Sequence, residues 1–253
     1  MAGSLGRQIE QLSHCIPLRF ATGLPRSHQF RRGVVPLAPS LDHVGLLATK
    51  VSFIERAAKL LCHGWCDPAP RLQRPTLGIP EGPYLSQASR EGREHFESIC
   101  QRIAEAGYSL RRVPAMSQYD DIVESHNALL AGEAARVHRR WYSEYGERYE
   151  PQTAELIQRG QKVGDAVLNR ARAGREALRT DLMAIMDAHG IDLWLSPSTP
   201  GPAPRGLTST GSSIMNLPWT YSGLPAVNLP AGSNTTGLPQ GLQVCARWNA
   251  DEN

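Results

Sequence analysis

The sequence predicts an α/β fold built on one layered sheet, and three observations predict it. Residues 76–113 alternate strand, helix and strand; two long helical segments follow with no strand between them; and short apolar segments at 191–197, 226–229 and 241–246 supply further strands. A strand-helix-strand unit pairs its strands in parallel through a right-handed crossover, which lays a helix against a sheet.

Taken in order, residues 1–30 show mixed polarity and weak periodicity, so they are expected to form an irregular N-terminal segment apart from a domain at 31–253. Pro36 and Pro39 bracket a turn ahead of Ser40-Leu41-Asp42-His43-Val44-Gly45, and residues 51–63 have helical spacing. Thr76-Leu77-Gly78-Ile79-Pro80 has the form of a short buried strand. Residues 86–106 set Phe96, Ile99, Cys100 and Ile103 on one helical stripe, and Gly107 suits the stop. Tyr108 to Val113 alternates apolar and polar residues as a strand does. Helices are expected at 120–142 and at 152–189, the second introduced by Pro151 and closed by Gly190. Its Val163, Val167, Leu178, Leu182, Ile185 and Met186 make a broken apolar face suited to core packing. The strand at 191–197 runs into a Gly/Pro/Ser/Thr-rich loop to residue 213, long enough to be functional.

Composition narrows the partners. The chain has 253 residues, 41% hydrophobic and 20% charged, as in an ordinary packed domain. A net charge of +3, with both signs interspersed, does not make the one-sided basic face of a nucleic-acid binder. No run approaches the roughly 18 apolar residues that span a bilayer, and no signal peptide opens the chain, so no membrane is expected and the default location is cytoplasmic. Five cysteines, odd in number and irregular in spacing, are expected as reduced thiols. Cys62-His63-Gly64-Trp65-Cys66 lacks the second Cys/His pair that zinc requires, so no metal is expected.

Three segments carry a resemblance. They are Arg32-Gly33-Val34-Val35-Pro36-Leu37-Ala38-Pro39-Ser40-Leu41-Asp42-His43-Val44-Gly45, then Asp192-Leu193-Trp194-Leu195-Ser196-Pro197-Ser198-Thr199-Pro200, and finally Met215-Asn216-Leu217-Pro218-Trp219-Thr220-Tyr221-Ser222-Gly223-Leu224-Pro225-Ala226 continuing through Leu238-Pro239-Gln240-Gly241-Leu242-Gln243. In this order they resemble the C-terminal half of the amidase signature family. The resemblance implies a mixed β-sheet covered by helices on both faces, and hydrolysis of the C–N bond of a small amide by a serine, a bridging cis serine and a lysine, with no metal or cofactor. It also implies that Asp42 and His43 belong to a structural turn. Asn216, Trp219 and Tyr221 form a polar and aromatic cluster that either lines an amide pocket or packs with its polar atoms bonded.

The catalytic residues do not carry over. The lysines are Lys50, Lys59 and Lys162, all downstream of the segment that the family's lysine precedes. Ser209-Thr210-Gly211-Ser212-Ser213 lies in the C-terminal loop and is rejected as nucleophile. Ser13-His14-Cys15-Ile16-Pro17 echoes the nucleophile segment, which makes Ser13 the candidate. Gln11 and Leu12 stand where two glycines would let backbone N–H groups converge on an oxyanion, so a plain loop serine is the competing reading. The expectation is a truncated amidase, inactive as an isolated chain. The alternative is a non-catalytic binding or assembly module. The amide-cleaving component of a tRNA-dependent amidotransferase is the third reading, disfavoured because Ser213 stands where those components place an acidic residue. A homo-oligomer stays open.

Overall fold

The computed structural model describes residues 18–19, 34–62, 65 and 74–251. Leu18–Arg19 (β1) and Gly45–Leu46 (β2) are two-residue strands, the first inside the stretch expected to be irregular. Helix Val51–Leu61 (α1) buries Ile54 and Ala58, and Ile54 packs on Leu46, Val227 and Leu229. Between β1 and β2, the Asp42 carboxylate accepts the Leu37 and Ala38 N–H groups at 3.0 and 3.1 Å, closing the 36–42 turn with a side chain.

The strand-helix-strand unit is Leu77–Glu81 (β3), Arg90–Glu105 (α2) and Leu110–Pro114 (β4), and β3 and β4 pair in parallel with Leu77 opposite Leu110. The helix begins later than residue 86. Leu85–Gln87 forms a 3₁₀ turn, and the Ser89 hydroxyl then caps α2 by accepting the Gly92 N–H at 3.0 Å.

Each long helix of the sequence is divided in two. Tyr119–Val137 (α3) gives way to Arg139–Tyr145 (α4) at His138, whose ring joins Pro36 O at 2.9 Å and Tyr149 Oη at 2.7 Å. Pro151–Gln161 (α5) is followed by Asp165–His189 (α6). At Gly160 a Cβ would overlap the Ala131 carbonyl, so glycine lets α5 press onto α3. The extended Gly164 (ψ 162°) then starts α6, and Gly190 in the left-handed region (φ 60°) ends it.

Leu193–Pro197 (β5), the short helix Leu217–Ser222 (α7), Ala226–Ser233 (β6) and Pro239–Cys245 (β7) follow. One sheet runs β2-β1-β6-β7-β5-β3-β4, in which β3 is parallel to β4 and β5 and the other pairs are antiparallel. The sheet is therefore mixed. α2 covers one face, where Phe96 and Ile99 meet Leu77, Ile79, Leu195 and Leu242. α3, α6 and α7 cover the other, around Trp194, Trp219, Tyr84 and Leu182. Helices thus lie on both faces, as in a layered α/β fold. No described helix is long and apolar enough to cross a membrane.

Candidate functional site

On the face toward α3, α6 and α7, the register of β5, β7 and β6 stacks side chains in rows. Trp194, Cys245 and Ala226 form one row, Ser196, Gln243 and Asn228 the next, and Gly241 with Pro230 the third. Same-face residues recur every second position, about 7 Å apart. Within one such step the face changes from core to polar, at the carboxyl end of β5. Open α/β sheets hold their ligands outside the carboxyl ends of parallel strands, and β5 is parallel to β3.

Loop 213–216 is tied over this polar end. Gln243 Nε2 donates to Met215 O and Ser196 Oγ, each at 3.3 Å, and Asn216 Nδ2 donates to Ser198 O at 3.1 Å. Ser196, Ser198 and Gln243 are buried there. Gly241 has to be glycine, because a Cβ would overlap Ser198 Oγ and stand 2.7 Å from Asn228 Oδ1. Asn228 Oδ1 is buried and has no hydrogen-bond partner among the described residues. A buried polar group in that state costs about 1–3 kcal/mol, so a donor brought from outside gains more here than at a solvated acceptor. Together these groups make a polar cradle across β5, β7 and β6.

Asn216 belongs to the cradle; Trp219 and Tyr221 stand behind it. The Trp219 indole donates to Tyr84 Oη at 2.8 Å, and Tyr84 Oη donates to Met215 O at 2.9 Å. The two rings meet edge to face, 5.8 Å between centroids. Burial pushes the Tyr84 phenol well above its ordinary value, and it stays a neutral donor. The Tyr221 hydroxyl donates to Ala171 O, while Arg175 Nε and Arg179 Nε donate to the Tyr221 and Ser222 carbonyls at 2.7 and 2.8 Å and cap the end of α7.

Ser13 lies outside the described residues, as do His63 and Cys66. Lys50 immediately precedes α1, with Nζ 6.0 Å from the Phe53 ring centroid, Lys59 pairs with Glu55 at 3.3 Å on that helix, and Lys162 ends α5. None of these elements builds the cradle. Two buried polar residues that helical spacing did not single out, Glu133 and His138, anchor the 36–42 turn. Glu133 accepts the Ser40 N–H at 2.8 Å and hydroxyl at 2.6 Å, and pairs with Arg172 at 3.3 Å. Ser196, Asn228 and Gln243 were also missed. Their signal is an isolated polar residue inside a strand segment that is otherwise largely apolar, as in Leu193-Trp194-Leu195-Ser196-Pro197.

The Amidase family model matches residues 27–253. The chain belongs to the Amidase family. Within that family it is 27% identical over 239 residues to 2-amino-5-chloromuconic acid deaminase of Comamonas testosteroni, covering 84% of this chain and 49% of the relative. It is 28% identical over 270 residues to a glutamyl-tRNA(Gln) amidotransferase component of Thermus thermophilus, covering 88% of this chain and 55% of the relative. This member of the family therefore spans about half the length of the curated relatives it matches. A crystal structure of an amidase superposes on 94% of the chain and 56% of its own length, with a TM-score of 0.83 at 27% identity. The 6-aminohexanoate cyclic dimer hydrolase shares the fold at a TM-score of 0.71, 16% identity, and 94% and 58% coverage of the two chains.

Proposed function

We propose that residues 31–253 act as one folded unit that forms a wall of an amide-hydrolysing site, and that these 253 residues alone do not cleave amides. The observation that carries this is the cradle at the carboxyl end of β5, in a chain of the Amidase family whose three lysines all lie on other elements. Amide hydrolysis requires a nucleophile activated by an adjacent base, and donors aimed at the developing oxyanion. The cradle offers a different service. In this reading Asn228 Oδ1, buried and without a hydrogen-bond partner among the described residues, accepts an amide N–H of the ligand, Asn216 forms the edge of the wall, and Trp219 and Tyr221 hold α7 behind it. The ligand is a small-molecule amide, and a serine mechanism needs no metal or cofactor. Ser13 belongs to the segment that echoes the family's nucleophile segment, all three lysines follow it in the sequence, and in this reading the reaction stops at binding.

A second reading, a non-catalytic binding or assembly module, is favoured by the same placement of the lysines. The amidotransferase reading, suggested by the 28% identical Thermus relative, is disfavoured by Ser213, which stands where an acidic residue would hold an amino-acid substrate. The test uses the purified 253-residue chain with acetamide and benzamide. Ammonia release is expected at the buffer blank, while benzamide shifts the side-chain amide resonances of Asn216 and Asn228 in nuclear magnetic resonance spectra. Release above the blank that Ser13→Ala abolishes would overturn the inactive reading, and unmoved resonances at saturating benzamide would remove the wall.

A further inference from the structure

α3 and α6 pack side by side, and near the point where β4 leads into α3 they leave a groove of about 500 Å³. Sites for small organic molecules occupy about 300–1,000 Å³. The floor is apolar, with buried Met116, Ile122 and Leu182, and Tyr221 forms the inner wall. Gly174 leaves that inner end open: a Cβ there would stand 2.8 Å from Tyr221 Oη. Met116 adopts φ 55°, a conformation that strains any residue bearing a side chain and that gathers at ligand sites.

The rim carries charge of one sign. Among the described residues, Asp121, in the first turn of α3, and Asp181, on α6, are the only charged ones that line the groove, and both are exposed. Neither carboxylate takes an ion pair or hydrogen bond from another described residue. In a chain with 27 Lys and Arg residues against 24 Asp and Glu, a groove rimmed by two such acids and no base is a local reversal of the overall charge. An anion would meet two like charges. A neutral apolar molecule would fill the floor and leave the rim unused.

We propose that this groove binds a small organic ammonium ion, its apolar body on Met116, Ile122 and Leu182 and its protonated amine at the Asp121 and Asp181 carboxylates. The site is separate from the cradle and stands whether or not the chain takes part in amide cleavage. An exposed ion pair contributes little by itself, so the two carboxylates act together with apolar burial, and the expected Kd is on the order of 1 mM.

The test titrates the full 253-residue chain with benzylamine and with its neutral counterpart benzyl alcohol, following backbone resonances by nuclear magnetic resonance. Benzylamine is expected to saturate, moving Met116 and Tyr221, with benzyl alcohol at least fivefold weaker. Asp181→Asn is expected to weaken benzylamine at least threefold, and Asp121→Asn with Asp181→Asn to remove saturation at accessible concentrations. Both carboxylates are exposed, so the melting temperature of the variants serves as the folding control. Absence of saturation by benzylamine, equal affinity for the alcohol, or unchanged binding in the folded double variant would each overturn the proposal.

Discussion

The two faces of the sheet are held by different physics. Under α2, Leu77, Ile79, Phe96, Leu195 and Leu242 pack as a mainly aliphatic layer, in which shape and area decide the energy. Under α3, α6 and α7, Tyr84, Trp219 and Tyr221 each bring a bonded polar atom into the core, while the Trp194 indole N–H is buried without a hydrogen-bond partner among the described residues. An apolar layer tolerates swaps of similar volume. A bonded aromatic set does not, because removing one partner strands the other. The difference teaches where the cradle gets its rigidity: the face that carries it is the face fixed by directional bonds.

The largest expected effect is that of Trp219→Ala, which empties the space behind α7 and takes the donor from Tyr84. A loss of about 3–5 kcal/mol in urea unfolding is expected. A smaller pair sharpens the comparison between the faces. Tyr84→Phe removes one hydroxyl that both accepts from Trp219 and donates to Met215 O, and about 1–3 kcal/mol should be lost. Ile79→Val, on the α2 face, should lose only about 0.5–1.5 kcal/mol. If the two variants unfold at the same urea concentration, the faces are not distinct in the way described.

A further comparison of the faces lies in the pH dependence. Burial pushes the Cys100 thiol, on the α2 face, up to about 12, and the Glu97 charge adds to the rise. Burial likewise pushes the Tyr119 phenol, on the opposite face, up to about 12, with Asp120 adding to it. Unfolded thiols and phenols titrate near about 8.5 and 10. A raised folded value means stability that is complete below the unfolded value and lost as pH rises toward the folded one. The contribution of Cys100 should therefore begin to fall above about pH 8.5 and that of Tyr119 above about pH 10. Cys100→Ala is expected to reduce the earlier slope and Tyr119→Phe the later one, as seen in melting temperature between about pH 7 and 11. Slopes unchanged in both variants would refute the assignment.

Much of the fold was legible because the hydrophobic period switches between 2 and 3.6 along residues 76–113, and that local pattern dictates a parallel pair. The breaks at His138 and at residues 162–164 were not. The first depends on Pro36 and Tyr149, and the second follows the close approach of Gly160 to Ala131, which no local pattern encodes. Helix α7 is too short for periodicity, although Pro218 and Gly223 supply its start and stop signals. Of the candidate site, the sequence offered Asn216, Trp219 and Tyr221 as a cluster, and they occupy one short helix and its first flanking residue. Ser196, Asn228 and Gln243 become neighbours only through strand register, over separations that residue spacing does not reveal.

The position of β7 has a consequence for synthesis. Residues 239–245 are inserted between β5 and β6, so a nascent chain that has already emerged from the ribosome past β6 still presents β5 with an empty edge. Until β7 arrives, two rows of unsatisfied amides face water or a chaperone, and a stop codon before residue 239 would leave them open for good.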